Sequence, residues 1–159
     1  MSPRAALRLE TLDFREVYDY VPGKADWLAH PLPREGRLAA KPRAGDLVRQ
    51  DVVRCRLEAP IEDLGKEIDA SEYGFALVVG DDDVLLGRIR KSAVRQATGT
   101  AEAIMEPGPS TIRPDTSIEH VEHTMQQHDL KTMLVSTPEG RLLGVIRRED
   151  VDSATAQED

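Results

Sequence analysis

The sequence predicts an α/β fold: two β-α-β-β-α repeats behind an N-terminal helix-strand-helix extension. Three observations predict it. LLGRIR at residues 85–90 returns as LLGVIR at 142–147, with Gly87 and Gly144 57 positions apart. Residues 44–97 slide onto 101–154 at that offset without a gap. Apolar residues also recur at helical spacing in both copies, Ile61, Leu64 and Ile68 falling on Ile118, Val121 and Met125. That i, i+3, i+7 pattern places three side chains on one helix face. Chance can duplicate one strand, but not a series of elements in register, so the chain is a tandem repeat.

Each copy begins with a strand, near Val52–Leu57 in the first and Thr111–Arg113 in the second, and continues into the apolar-faced helix. Leu77 and Val78 fall on Leu134 and Val135 in a second strand. Gly80-Asp81-Asp82-Asp83 falls on Thr137-Pro138-Glu139-Gly140, both of turn composition. LLG-x-I-R is the third strand, and Val94 falls on Val151 in a closing helix. A unit of about 55 residues is marginal alone. Two units packed sheet against sheet would share one core.

At 159 residues, 40% hydrophobic and 31% charged, the composition is that of a soluble globular protein. No apolar run approaches the ~20 residues of a membrane span, and the N-terminus lacks the apolar stretch of a secretory signal, so the expected location is cytoplasmic, with no membrane partner. The net charge of −8 is uneven: 8 Lys and Arg against 6 Asp and Glu in residues 1–45, then 13 against 23 over the rest. That distribution argues against nucleic acid as a partner, because no broad basic face displaces counterions from phosphates. One cysteine, Cys55, excludes an internal disulfide and a multi-cysteine metal site.

Residues 104–118, IMEPGPSTIRPDTSI, and 141–151, RLLGVIRREDV, resemble the opening and closing segments of a cystathionine-β-synthase (CBS) domain. With the first copy, the resemblance to a tandem CBS pair covers about residues 44–155. It implies repeats related by a pseudo-two-fold axis and often paired again into a homodimer. It also implies a regulatory, non-enzymatic module with no required cofactor. Its cleft would take AMP, ATP or another adenosyl ligand and report to a regulated protein. In that family a Ser or Thr at the end of the last strand and an Asp three residues later commonly hold phosphate and ribose. The matching positions are Arg147 and Asp150 in the second copy, Arg90 and Ala93 in the first. The second copy keeps the carboxylate without the hydroxyl; the first has neither. Thr111, Ile112 and Met133 are the further ligand-lining positions that the resemblance implies.

Arginines supply a second route to an anion. Arg54 and Arg56 share one face of their strand, as do Arg88 and Arg90, since side chains alternate with a period of two. Guanidiniums converging there would suit phosphate or carboxylate. Arg54, Arg90 and Arg147 are accordingly candidate ligand residues, whereas pairing with Asp81–Asp83 or nearby glutamates is the alternative for each. A different class of reading treats the clefts as empty and the chain as a structural or interaction module.

Other chemistry is not supported. His120 and His123 neighbour each other at i, i+3, but no third metal ligand is fixed, and their repeat equivalents are Asp63 and Lys66. His128 suits a helix C-terminus. The Asp81–Asp83 run lacks calcium-loop spacing. Cys55, alternating with Arg54 and Arg56, points toward the core.

Residues 17–36, VYDYVPGKADWLAHPLPREG, with Leu9, Leu12 and Phe14 before them, resemble the last helix-strand-helix of a rhodanese domain over about residues 5–36. The reactive-cysteine part of that family has no counterpart here, so sulfurtransferase activity is not implied. Docking, dimer contacts or an accessory role in sulfur transfer are. The expected organisation is a rhodanese-like remnant at 1–36, a linker at 37–45, repeats at 44–98 and 99–155, and a tail at 156–159.

Overall fold

The computed structural model describes residues 3–18, 20–30, 32–36, 39, 41–95 and 97–156. The expected tail beyond 156 and linker positions 37, 38 and 40 lie outside them. Two short helices come first, α1 (Pro3–Glu10) and α2 (Gly23–Ala29). The first repeat follows as β1 (Val53–Cys55), α3 (Ile61–Ala70), β2 (Phe75–Val79), β3 (Leu85–Arg90) and α4 (Lys91–Val94). The second contributes α5 (Ala101–Ile104), β4 (Glu106–Pro107), β5 (Thr111–Ile112), α6 (Ile118–Gln127), β6 (Thr132–Ser136), β7 (Leu142–Arg147) and α7 (Arg148–Thr155). β1 runs parallel to β2 and β2 antiparallel to β3, and β5, β6 and β7 repeat that arrangement.

The helical spacing marks the buried faces as expected. Ile61, Leu64 and Ile68 are all buried, and Leu64 and Ile68 cover one face of the first sheet with Ala76, Val78 and Ile89; Ile118, Val121 and Met125 cover the second sheet with Val135 and Ile146. A third cluster lies between the sheets, with Phe75, Leu77 and Val79 against Leu134, Leu142 and Val145. Alternation along β2 explains this division, since Ala76 and Val78 face the helix while their neighbours face the other repeat. Every one of these side chains is under a tenth exposed. Removing that much apolar surface from water is the main force joining the halves.

The halves also exchange their opening segments. β4, from the second repeat, pairs with β3 of the first, Glu106 opposite Arg88. Arg49, 57 positions before Glu106, bridges to Val145, 57 positions after Arg88. Ala44 and Ala101, again equivalent, are fully buried, each in the helix layer of the other repeat. The bridges Arg43 to Ser117 and Pro60 to Thr100 are likewise equivalent, and Val84 bridges to Arg141, its own equivalent, as a pseudo-two-fold axis requires.

This exchange explains the duplicated glycine. A Cβ on Gly87 would lie 2.8 Å from Met105 Sδ, and one on Gly144 would lie 2.1 Å from the Arg49 carbonyl oxygen. Only a residue without a side chain lets the crossing segment lie that close.

Two expectations are corrected. The N-terminal extension has its two helices but, among the described residues, no strand between them. A strand needs a ladder partner, and among the described residues none of 15–18 or 20 pairs with a sheet edge. Residues 43–45 are also not linker: Arg43 bridges to Ser117, the Ala44 amide donates to Thr116, and the Gly45 amide donates to Pro114. The exposed large apolar side chains Leu7, Leu12, Phe14, Tyr18, Val21 and Leu32 all belong to the N-terminal segment. Among the described residues no helix is long and apolar enough to cross a membrane.

Candidate functional site

Because the opening segments cross over, the closing end of each repeat faces the opening residues of the other. The cleft therefore has two flanks. On one, Arg88 of β3 stands near Thr111 and Ile112 of β5 and Met133 of β6, and Arg90 lies in the adjoining part of the cleft. On the other, Arg147 at the end of β7 and Asp150 in the first turn of α7 stand near Arg49, Asp51 and Tyr73.

The first flank is open. A recess of about 570 Å³ is walled by apolar side chains, including Phe75, Ile112, Met133 and Leu134, with Thr111, Thr124 and Thr132 supplying hydroxyls and Arg88 at its edge. Thr111 is fixed by a 2.8 Å hydrogen bond between its Oγ1 and Ser136 Oγ, which also accepts from Arg113 at 3.0 Å. Ser136 is buried, so these bonds satisfy a hydroxyl that would otherwise be costly there. The recess joins a larger cleft of about 800 Å³, and Phe75, Arg88 and Thr132 line both. Equivalent residues meet across that cleft: Arg90 with Arg147, Lys91 with Arg148, Gly74 with Lys131. Cationic side chains outnumber carboxylates in its lining six to three.

The second flank is filled by the protein itself. Arg49 donates from Nε and Nη2 to both Asp150 oxygens, at 2.7 and 2.5 Å. That fork holds the Asp150 carboxyl below its ordinary range, against a smaller opposing effect of burial. Arg147 lies 4.6 Å over the Tyr73 ring and donates to Glu72 and Glu149. Tyr73 donates to Asp51. Burial foremost, and then this bond, push the Tyr73 hydroxyl above its usual range. Arg54, equivalent to Thr111, reaches across to β7 of the second repeat and donates to the Leu143 carbonyl at 3.1 Å.

The structure thus separates the residues that sequence reasoning grouped. Thr111, Ile112 and Met133 line the recess; Arg90 and Arg147 line the larger cleft; Asp150 and Arg54 line neither. Between β1 and β3 lies β2, so Arg54 and Arg56 do not join Arg88 and Arg90 around one point. Arg56 bonds the Gly80 carbonyl and pairs with Asp83, while Arg88 and Arg90 both bind Glu106 at about 3 Å. Sequence reasoning missed Arg49, Tyr73, Phe75 and Lys131 as cleft residues. One signal was available: the equivalent positions Arg49 and Glu106 carry opposite charges.

Cys55 is buried, its thiol pushed up to about 11 by loss of solvent. It has no thiolate with which to act as a nucleophile near neutral pH. His120 and His123 are exposed, and His128 caps the C-terminus of α6 at the recess edge. Among the described residues, no three His, Cys, Asp or Glu side chains gather closely enough to hold a metal.

With paired half-folds, exchanged openings and a shared cleft in place, the architecture is decided. The fold is that of a CBS domain pair. Residues 101–156 match the CBS domain family model. Among solved structures, the cytosolic domain of the Mg²⁺ channel MgtE in complex with ATP superposes with a TM-score of 0.62 at 26% identity, covering 73% of this chain and 50% of that one. CBSX2 in complex with AMP, a CBS-pair protein from Arabidopsis thaliana, gives 0.63 at 17% identity, over 74% of this chain and 98% of that one. A curated relative, arabinose 5-phosphate isomerase KpsF from Escherichia coli, is 26% identical over 113 residues, 66% of this chain and 35% of the enzyme. This chain therefore spans about a third of the length of the curated relatives it matches.

Proposed function

We propose that this CBS pair is a non-catalytic regulatory module that binds an adenine nucleotide or related adenosyl ligand on its open flank. One observation carries the reading: the apolar recess beside Thr111, Ile112 and Met133 opens directly into a cleft whose lining includes Arg88, Arg90, Lys131 and Arg147. A purine fills an apolar slot, a ribose meets the threonine hydroxyls, and phosphates extend toward Arg88, Arg90 and Arg147. Asp150 would take a second ligand's ribose only by giving up Arg49. The chain's match to a third of an isomerase does not extend to that enzyme's reaction. The exposed apolar residues of the N-terminal segment support its use in protein contact, in a homodimer or with the regulated protein.

A second reading is favoured by the closed flank: a ligand-free interaction module whose cleft is held shut by its own side chains. Calorimetry and thermal shift with AMP, ATP, NADH and S-adenosylmethionine separate the two. The nucleotide reading predicts saturable heat and a raised melting temperature with at least one of them. Neither heat nor shift with any of the four supports the ligand-free module.

A further inference from the structure

We infer that the open flank selects its nucleotide by the number of phosphates rather than by the sugar, and that Lys131 sets this preference. The inference rests on the nucleotide reading above and deepens it.

The cations of the large cleft are mostly committed. Arg88 and Arg90 share Glu106, Lys91 pairs with Asp69 at 2.6 Å, and Arg148 pairs with Asp129 at 3.1 Å. Arg147 is held between Glu72 and Glu149. Lys131 also lines the cleft, yet among the described residues no carboxylate lies within ion-pair distance of it. Its neighbour Thr132 lines both the recess and the cleft, so Lys131 stands where a phosphate chain would leave the recess. A single phosphate near the recess competes with Glu106 for Arg88. A longer chain meets the same competition at its first phosphate but also reaches Lys131, where no further ion pair has to be broken.

Sugar recognition is weak on this flank for a matching reason. The position equivalent to Asp150 is Ala93, and no carboxylate lines the recess. Glu106, in the place of Arg49, is already taken by two guanidiniums. Within the recess, ribose hydroxyls would meet serine and threonine hydroxyls but no carboxylate, and such neutral bonds discriminate far less than bonds to a charged acceptor.

The test is calorimetric titration of the full chain with AMP, ADP, ATP and 2′-deoxy-ATP at low ionic strength without divalent cations. ATP is expected to bind about tenfold more tightly than AMP, a gain that shrinks with added salt. 2′-Deoxy-ATP is expected within about threefold of ATP. Lys131→Ala should bring ATP and AMP to within about twofold of each other, and Lys131→Arg should restore the gap. Lys131 is exposed, so unchanged thermal unfolding verifies that each variant is folded. AMP binding as tightly as ATP, an unchanged ratio in Lys131→Ala, or a tenfold or greater loss with the deoxy sugar overturns this inference while leaving nucleotide binding intact. No binding of any of the four overturns this inference, and if NADH and S-adenosylmethionine are also silent the nucleotide reading falls with it.

Discussion

Arg49 and Glu106 hold equivalent positions, one on each segment that crosses between the repeats. Arg49 reaches into the second repeat and locks the Asp150 carboxylate with two hydrogen bonds. Glu106 reaches into the first and finds Ala93 where Asp150 would be, so it binds Arg88 and Arg90 instead. Similar contrasts run along each flank: Arg54 against Thr111, and Tyr73 against Leu130. Large side chains fill one side and small ones leave the other open. Duplication supplied two potential sites on one scaffold. Substitution at a handful of equivalent positions decided that one would be occupied by protein and the other left accessible.

The largest effect that sharpens this comparison is on stability. Gly144→Ala drives a methyl group into the Arg49 backbone, so a loss of about 3 kcal/mol or more is expected. At Gly87→Ala the nearest atom is the flexible end of Met105, and a loss of about 1–2 kcal/mol is expected. Equal losses in urea denaturation would mean that the two crossings are equally tight.

A second, smaller effect concerns pH and belongs to the closed flank alone. Arg49 lowers the folded-state ionisation of Asp150 below its unfolded value, so the stabilisation is present above the unfolded carboxylate range and is lost as pH falls through the folded one. Asp150→Asn should therefore lie below the native chain in stability at neutral pH. The gap should close as pH falls toward about 3 and below. A gap that stays constant in acid breaks the assignment. On the other flank the same pH series applied to Ala93→Asn has no carboxylate to remove and should show no such closing.

The smallest effect is at Cys55, whose equivalent is Ile112. Cys55→Val should change stability by less than about 1 kcal/mol, because the thiol serves there as a small apolar group. With its titration raised to about 11, the native thiol should also stay unreactive to a disulfide reagent at pH 8 until the chain unfolds. Rapid labelling of the folded protein would place Cys55 on an accessible face.

How much of this was legible in the sequence follows from the range of the interactions. The apolar faces of α3 and α6 and the paired closing strands were legible because periodicity is local. Gly87 and Gly144 stood out as a repeat, but their reason, a neighbouring backbone from the other half, depends on contacts between residues 49 and 144. The crossing segments were illegible because two- and three-residue strands carry no measurable period, so residues 43–45 passed for linker. The expected N-terminal strand differs for the opposite reason: Tyr18 and Tyr20 have strand character but, among the described residues, pair with no sheet edge. The candidate ligand residues were individually reasonable. What a single sequence does not specify is which repeat's closing end faces which opening strand, and this placed Asp150 and Thr111 in one imagined site.

The most direct measurement is a nucleotide titration of three chains in parallel: native, Thr111→Arg, and Asp150→Ala. Putting the first repeat's arginine at position 111 should fill the recess and lower ATP affinity by at least about a hundredfold, with thermal unfolding confirming that the chain is folded. Asp150→Ala should bind within about twofold of native, because its carboxylate belongs to the flank that Arg49 already occupies. The reverse pattern, with binding lost in Asp150→Ala and kept in Thr111→Arg, would contradict the assignment of the open recess as the ligand site.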